Sequence, residues 1–119
     1  MSYEDRKKTN LKAETLKALN ANGKCEDDIV WIGTREAKIS SDRFWELADV
    51  VYDAGYGAPK VAEDLIIVGD GWWLERQEYD GSEWWEYKEP PKEPTKTREV
   101  KRLITRKIGW DSLADIQEG

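Results

Sequence analysis

The first periodic segment of the chain is typical of an amphipathic helix. Leu11, Thr15, Leu16 and Leu19 recur at helical spacing. Asn22-Gly23 supplies a stop signal, because glycine tolerates the positive φ angle that ends many helices. The pattern predicts a helix from about Leu11 to Ala21.

A strand and a second helix are predicted next. Residues 28–33 form an apolar run rich in β-branched side chains, which indicates a strand, and residues 36–39 are expected to pair back onto it. Ser40-Ser41-Asp42 can cap a helix that runs to residue 53. Its apolar stripe would consist of Phe44, Leu47, Ala48, Val51 and Tyr52.

Residues 65–87 predict three antiparallel strands. Leu65-Ile66-Ile67-Val68 reads as a buried strand, and Gly69-Asp70-Gly71 as the turn into a second strand over residues 72–79. Asp80-Gly81 favours a two-residue hairpin, since both central positions of a type I′ turn need positive φ. The third strand then covers residues 82–87.

The hairpin turn predicts which side chains share a face of the sheet. It sets Arg76 opposite Trp85 and Leu74 opposite Tyr87, and side chains alternate between faces along a strand. The face that we expect to be buried carries Trp72, Leu74, Arg76, Trp85 and Tyr87. The other, mixed face carries Trp73, Glu75, Gln77, Tyr79, Trp84 and Glu86.

These strands also carry a resemblance. The segments VGDGWWLER (68–76) and EYDGSEWWE (78–86), together with YDAGYG (52–57), resemble small phage and prophage proteins of Gram-positive bacteria. That family has no assigned activity, so the resemblance implies no functional residue. It implies a context, namely an accessory protein made inside a bacterial host.

The C-terminal part begins with a proline-rich connector over residues 89–95. Residues 95–108 fit either a helix, with Val100, Leu103, Ile104 and Ile108 as its apolar positions, or an edge strand. Trp110, Leu113 and Ile116 predict a short helical turn after Gly109 that packs the C-terminus down. Residues 1–119 are thus expected to form a single α+β domain. A three- to four-stranded antiparallel meander is packed by the 42–53 helix, with terminal helices completing the cover.

Charge is distributed unevenly along the chain. Residues 1–87 hold 11 basic and 19 acidic side chains, whereas residues 88–107 hold eight basic and three acidic ones. The overall net charge of −6 argues against binding to nucleic acid or to an anionic membrane as a whole. Two alternatives stay open: a basic contact from the late segment, and an acidic surface that mimics nucleic acid. Without a signal-like or membrane-spanning run, we expect a cytoplasmic protein.

The composition argues against the common catalytic chemistries. The chain has no histidine, which removes the usual general base near neutral pH, and its single cysteine, Cys25, can form neither a disulfide nor a thiolate metal cage. Glu75 and Glu86 would lie on one hairpin face and could act as a glycosidase pair. A solvated sheet face is the simpler interpretation of these carboxylates. We therefore predict a non-enzymatic protein without metal or cofactor.

The aromatic content directs the functional hypothesis. Seven tryptophans and five tyrosines are difficult to bury in so small a core, and exposed aromatic rings are typical anchors of protein interfaces. The first hypothesis is an interaction module that binds a protein partner or a second copy of itself. The alternative is a nucleotide- or sugar-binding protein with an aromatic pocket beside Arg76. The candidate binding residues are Trp73, Glu75, Arg76, Tyr79, Trp84 and Glu86.

Overall fold

The computed structural model describes residues 8–55 and 57–118, and all its strands lie between Lys8 and Lys88. The helices of this described part are α1 (Leu11–Ala21), α2 (Ser41–Ala48) and α3 (Leu113–Glu118). Its strands are β1 (Lys8–Asn10), β2 (Ile29–Gly33), β3 (Lys38–Ile39), β4 (Val51–Asp53), β5 (Ile66–Gly69), β6 (Trp72–Tyr79) and β7 (Ser82–Lys88).

All strand pairs are antiparallel, and they form two sheets. The larger sheet has five strands in the order β3-β2-β5-β6-β7, and the smaller pairs β1 with β4. An α+β fold with an antiparallel sheet is confirmed. The expectation of three to four strands is wrong, because β2 pairs with β5 and β3 pairs with β2. The second sheet has no counterpart in the sequence prediction.

The β6–β7 hairpin has the register that its turn predicts. Tyr79 pairs with Ser82, and Arg76 lies opposite Trp85. Asp80 and Gly81 have φ angles of 49° and 85°, as a type I′ turn requires. The turn residues therefore decide which side chains of the hairpin point to each face.

Helix α1 has the bounds that the sequence predicts. Its N-cap is Asn10, whose side-chain oxygen accepts a hydrogen bond from the Ala13 amide at 2.9 Å. Gly23, just beyond the helix, has a φ of 71°. Leu11, Thr15 and Leu19 are buried on one side of the helix, at the i, i+4, i+8 spacing of a single stripe.

Helix α2 is shorter than the sequence predicts, and the expectation of a helix over residues 42–53 is wrong after Ala48. Residues Val51–Asp53 form β4, which pairs with β1. The Leu11 amide also donates to the Val50 carbonyl at 3.0 Å. The β-branched pair Val50-Val51 suits an extended backbone, and the pairing of Val51–Asp53 with Lys8–Asn10 overrides the local helical period.

Helices α1 and α2 both pack on one face of the five-stranded sheet. A row of apolar residues crosses all five strands on this face: Ile39, Ile32, Ile67, Leu74 and Tyr87. Phe44 and Ala48 of α2 and Leu19 of α1 belong to the same core cluster. Every buried residue of the described chain lies between Leu11 and Trp85, so the core is complete before the proline-rich connector.

Between Glu89 and Ser112 the chain forms neither a helix nor a strand, so both alternatives for residues 95–108 are wrong. Leu103, Ile104 and Ile108 are 73%, 80% and 94% exposed. A short helix is marginal in water unless an apolar face packs against something, and these side chains have little contact. A short helix after Gly109 is present as α3, but Trp110 precedes it and is 98% exposed, so the expectation that this residue packs the C-terminus down is wrong.

Candidate interaction surface

The five-stranded sheet is covered by helices on one side only. We call the opposite side the outer face. It consists of residues that are cross-strand partners or alternate along a strand and so share one face of the sheet: Trp31, Ile66, Val68, Trp73, Glu75, Gln77, Trp84, Glu86 and Lys88. None of these side chains is buried. The core of the protein therefore makes use of only one face of the sheet.

The candidate binding residues divide between the two faces of the hairpin. The structure brings Trp73, Glu75, Trp84 and Glu86 together on the outer face, and Tyr79 ends the same row of β6. Trp84 is 39% exposed and Tyr79 is 76% exposed. Arg76 lies on the core side, where its side chain is only 3% exposed.

Glu75 is the organising residue of the outer face. One carboxylate oxygen, Oε1, accepts a hydrogen bond from Trp73 Nε1 at 2.7 Å and lies 3.6 Å from Lys88 Nζ. The other accepts from Gln77 Nε2 at 3.1 Å. Lys88 thereby offsets the repulsion expected between Glu75 and Glu86, which are directly opposed in the hairpin. The ring of Trp73 is held in a defined position by the carboxylate.

On the core side, Arg76 makes polar contacts to three separate parts of the chain. Its Nη2 donates to Glu83 Oε1 at 2.9 Å and to the Tyr52 hydroxyl at 3.1 Å, and its Nη1 donates to Glu14 Oε2 at 3.2 Å. Its guanidinium carbon lies 4.8 Å from the centre of the Trp85 ring, within cation–π range. The buried positive charge is thus compensated by two carboxylates.

The same cluster perturbs the ionisation of its members. Burial, reinforced by the hydrogen bond that the hydroxyl donates to Glu14, raises the pKa of Tyr52 well above the usual tyrosine value. Burial alone would lower the pKa of Arg76, but the hydrogen bond to Tyr52 and the negative charge of Glu14 outweigh it, so the pKa of Arg76 is raised. Arg76 is a permanent cation in this core.

Glu83 also connects the hairpin to the loop over residues 59–64. Its Oε2 accepts from the Lys60 amide at 2.6 Å and its Oε1 from the Val61 amide at 3.1 Å. The Glu83 amide donates in turn to the Ala54 carbonyl at 2.9 Å. Sequence reasoning missed Glu83, although its spacing to Trp85 placed it on the same face as Arg76. That pairing of opposite charges on the buried side was the available signal.

A cleft of about 610 Å³ lies beside Trp73. Its lining includes the carboxylates of Glu36, Glu63, Asp64 and Glu75, together with Arg35, Arg76 and Trp73. Trp73 is the one aromatic residue in this lining. Two of the three Arg76 nitrogens donate to Glu14, Glu83 and Tyr52, so the guanidinium is committed to the core network rather than offered to the cleft.

The C-terminal arm, residues 89–118, ends in a small hydrogen-bonded unit that we call the arm tip, residues 101–117. The Gln117 side chain closes it: Oε1 accepts from the Lys101 amide at 2.7 Å, and Nε2 donates to the Arg102 carbonyl at 2.5 Å. Thr105 donates to Asp111 within the loop. Side-chain hydrogen bonds, rather than the backbone hydrogen bonds of a helix, therefore hold the loop of the arm tip together.

The arm tip presents apolar side chains to solvent. Trp110 is 98% exposed, and its φ of 64° is unusual for a bulky residue. Leu103, Ile104 and Ile108 are also largely exposed.

In the described residues no helix is both long enough and apolar enough to cross a membrane. No protein-family model, curated protein or solved structure matches the chain.

Proposed function

We propose that this chain is a non-enzymatic interaction module that binds a protein through the outer face. The observation that carries the proposal is a five-stranded sheet with helices on one side and partly exposed tryptophans among carboxylates on the other. Soluble proteins seldom leave such an aromatic surface uncovered unless it binds something. The Trp73–Glu75 hydrogen bond holds part of this surface in place before a partner arrives.

The aromatic and the acidic residues of the outer face would have different roles in binding. Trp73, Trp84 and Tyr79 would provide buried contact area at small cost in side-chain entropy. Glu75 and Glu86 would favour a partner with a basic rim and speed the encounter with it. Following the resemblance of residues 68–86, we place this activity in a phage or prophage accessory protein acting in the bacterial cytoplasm.

Site-specific photo-crosslinking tests the proposal. A photoreactive phenylalanine analogue would replace Trp84 or Tyr79, and the matched control would carry it at Leu47, which is 55% exposed on α2. In lysate of a Gram-positive host, we expect a discrete product from the outer-face positions and not from Leu47. Mass spectrometry would identify the crosslinked protein.

Binding of the purified partner would then be measured with charge variants. Glu86→Lys is expected to weaken binding at least about tenfold, because it reverses a charge in the contact. Glu46→Lys on α2 is expected to leave the affinity unchanged. Equal crosslinking from Leu47, or equal affinity of both variants, would contradict an interface on the outer face.

The cleft beside Trp73 supports a second candidate, a small-molecule site. Its carboxylate-rich lining suits the hydroxyl groups of a neutral sugar better than the phosphates of a nucleotide. Titration with glucose oligomers and with AMP, read by tryptophan fluorescence, compares the two ligand classes. Saturable quenching by the oligomers that Trp73→Phe abolishes would favour this candidate over the interaction module.

A further inference from the structure

We infer that the outer face binds the arm tip of a second copy of this chain. The inference rests on the proposed function and names the partner. The two surfaces are opposite in net charge: the outer face carries Glu75 and Glu86 beside Lys88, whereas the arm tip carries four basic side chains and two acidic ones (Lys101, Arg102, Arg106 and Lys107; Asp111 and Asp115). A net negative face and a net positive tip attract each other during an encounter.

The two surfaces are also complementary in apolar character. The tip exposes Leu103, Ile104, Ile108 and Trp110, all of them at least 73% accessible. The outer face offers partly exposed aromatic and aliphatic side chains, among them Trp31, Val68 and Trp73. Docking would bring the exposed apolar side chains of the tip into contact with those of the outer face and remove both from water. The Gln117 contacts hold the tip in shape, so little ordering is needed on docking.

The connector directs this contact to another molecule. Pro90, Pro91 and Pro94 stiffen the chain between the end of β7 and the tip, because proline restricts φ. The radius of gyration is 19.2 Å, whereas a compact chain of this length would have about 13.5 Å. The four apolar side chains that the tip exposes are at least 73% accessible, so they do not pack on the outer face of their own chain.

Sedimentation equilibrium of the full-length protein tests the inference. The tip variant Ile104→Ser/Ile108→Ser removes two exposed apolar side chains, and the face variant Trp84→Lys places a positive charge in the acceptor surface. We expect each to raise the dimer dissociation constant at least about tenfold. The matched control, Leu47→Ser/Val50→Ser, removes two apolar side chains that are 55% and 50% exposed at the end of α2 and is expected to leave association unchanged.

Mixing the variants identifies the contact itself. The face variant keeps an intact tip and the tip variant keeps an intact face, so an equimolar mixture can form one unaltered tip-to-face contact, whereas each variant alone has none. A fluorophore on Cys25, the single and exposed cysteine, reports which chain sediments in the complex. Burial of Trp110 would also shift its emission to the blue, and added salt would weaken the complex.

Each outcome separates this inference from the proposed function. A wild-type protein that stays monomeric up to about 200 µM overturns the inference, as does a mixture that fails to associate. Loss of association in the face variant but not in the tip variant would show that the faces pair with each other. In these cases the outer face can still bind a different protein, which the crosslinking experiment detects independently. Equal weakening by the control variant overturns the inference as well.

Discussion

Arg76 and Glu83 form an ion pair inside the protein, with Arg76 Nη2 donating to Glu83 Oε1 at 2.9 Å and side chains only 3% and 4% exposed. The two residues come from neighbouring strands of one hairpin, but they are diagonal rather than directly opposed. Glu83 also accepts two backbone amides from the loop over residues 59–64. The Glu83 carboxylate therefore compensates the buried charge of Arg76 and also accepts hydrogen bonds from the backbone of the loop.

Replacing Glu83 by alanine is expected to destabilise the protein by about 3–5 kcal/mol, because it leaves the Arg76 charge with one carboxylate fewer in a buried site. Urea unfolding followed by tryptophan fluorescence measures this loss. The control is Glu46→Ala, which breaks the exposed pair with Arg43 and should cost less than about 1 kcal/mol. A loss for Glu83→Ala no larger than that of the control would contradict the assigned role.

Tyr52→Phe is expected to change the pH dependence of stability. In the folded state the pKa of Tyr52 is raised, whereas an unfolded tyrosine ionises near its ordinary value of 10.0. The phenol thus contributes stability that is fully present below about pH 10 and is lost as the pH rises further. Unfolding free energies of wild type and Tyr52→Phe should therefore differ by a constant amount below about pH 10 and converge as the pH rises above it.

The matched control for the loss of a phenol hydroxyl is Tyr79→Phe, because Tyr79 is 76% exposed. At neutral pH, Tyr52→Phe should be less stable by about 1–2 kcal/mol, since it removes hydrogen bonds to Glu14 and Arg76. Curves for wild type and Tyr52→Phe that run parallel through alkaline pH would speak against this assignment.

Gly33→Ala is expected to disrupt the turn between β2 and β3. A Cβ atom at this position would lie 2.2 Å from the Ala37 carbonyl oxygen and 2.8 Å from the Lys38 Cα atom, both of the backbone. The backbone must shift to relieve the overlap, at a cost of about 1–3 kcal/mol. Thermal unfolding compares this variant with Glu36→Ala, an exposed change in the same turn. Equal melting temperatures would refute the steric argument.

Removal of residues 94–119 is expected to leave the stability of the body unchanged within about 0.5 kcal/mol. The buried residues of the described chain all lie between Leu11 and Trp85, and the hydrogen bonds described for Gln117 and Thr105 stay within the arm tip. Urea unfolding of the shortened and complete chains provides the measurement. A large loss of stability would mean that the arm packs on the core.

Elements that depend on residues close together in sequence were predictable, and elements that depend on distant residues were not. The β6–β7 hairpin was predictable because Asp80-Gly81 determines its register locally. The end of α2 was not, because Val51–Asp53 pairs with Lys8–Asn10, far away in the chain. Local periodicity carries no information on such a partner.

For the candidate site, the residues that share a face were predictable from sequence, but the partners of Arg76 were not. Alternation placed Trp73, Glu75, Trp84 and Glu86 on one face, and the structure brings them together there. The partners of Arg76 were out of reach, since Glu14 and Tyr52 are 62 and 24 residues away in sequence. In the arm, the apolar spacing of residues 100–108 resembles a helix, but a helix there would have no surface to pack against.

The position of Arg76 has a consequence for the way the protein folds. Its acceptors come from α1, β4 and β7, so its charge is compensated only when all three have assembled. A partly folded chain, with the hairpin formed and α1 detached, would hold a desolvated cation with incomplete compensation. Such intermediates are disfavoured relative to both end states. The body should therefore fold and unfold as one cooperative unit, despite the local strength of its hairpin.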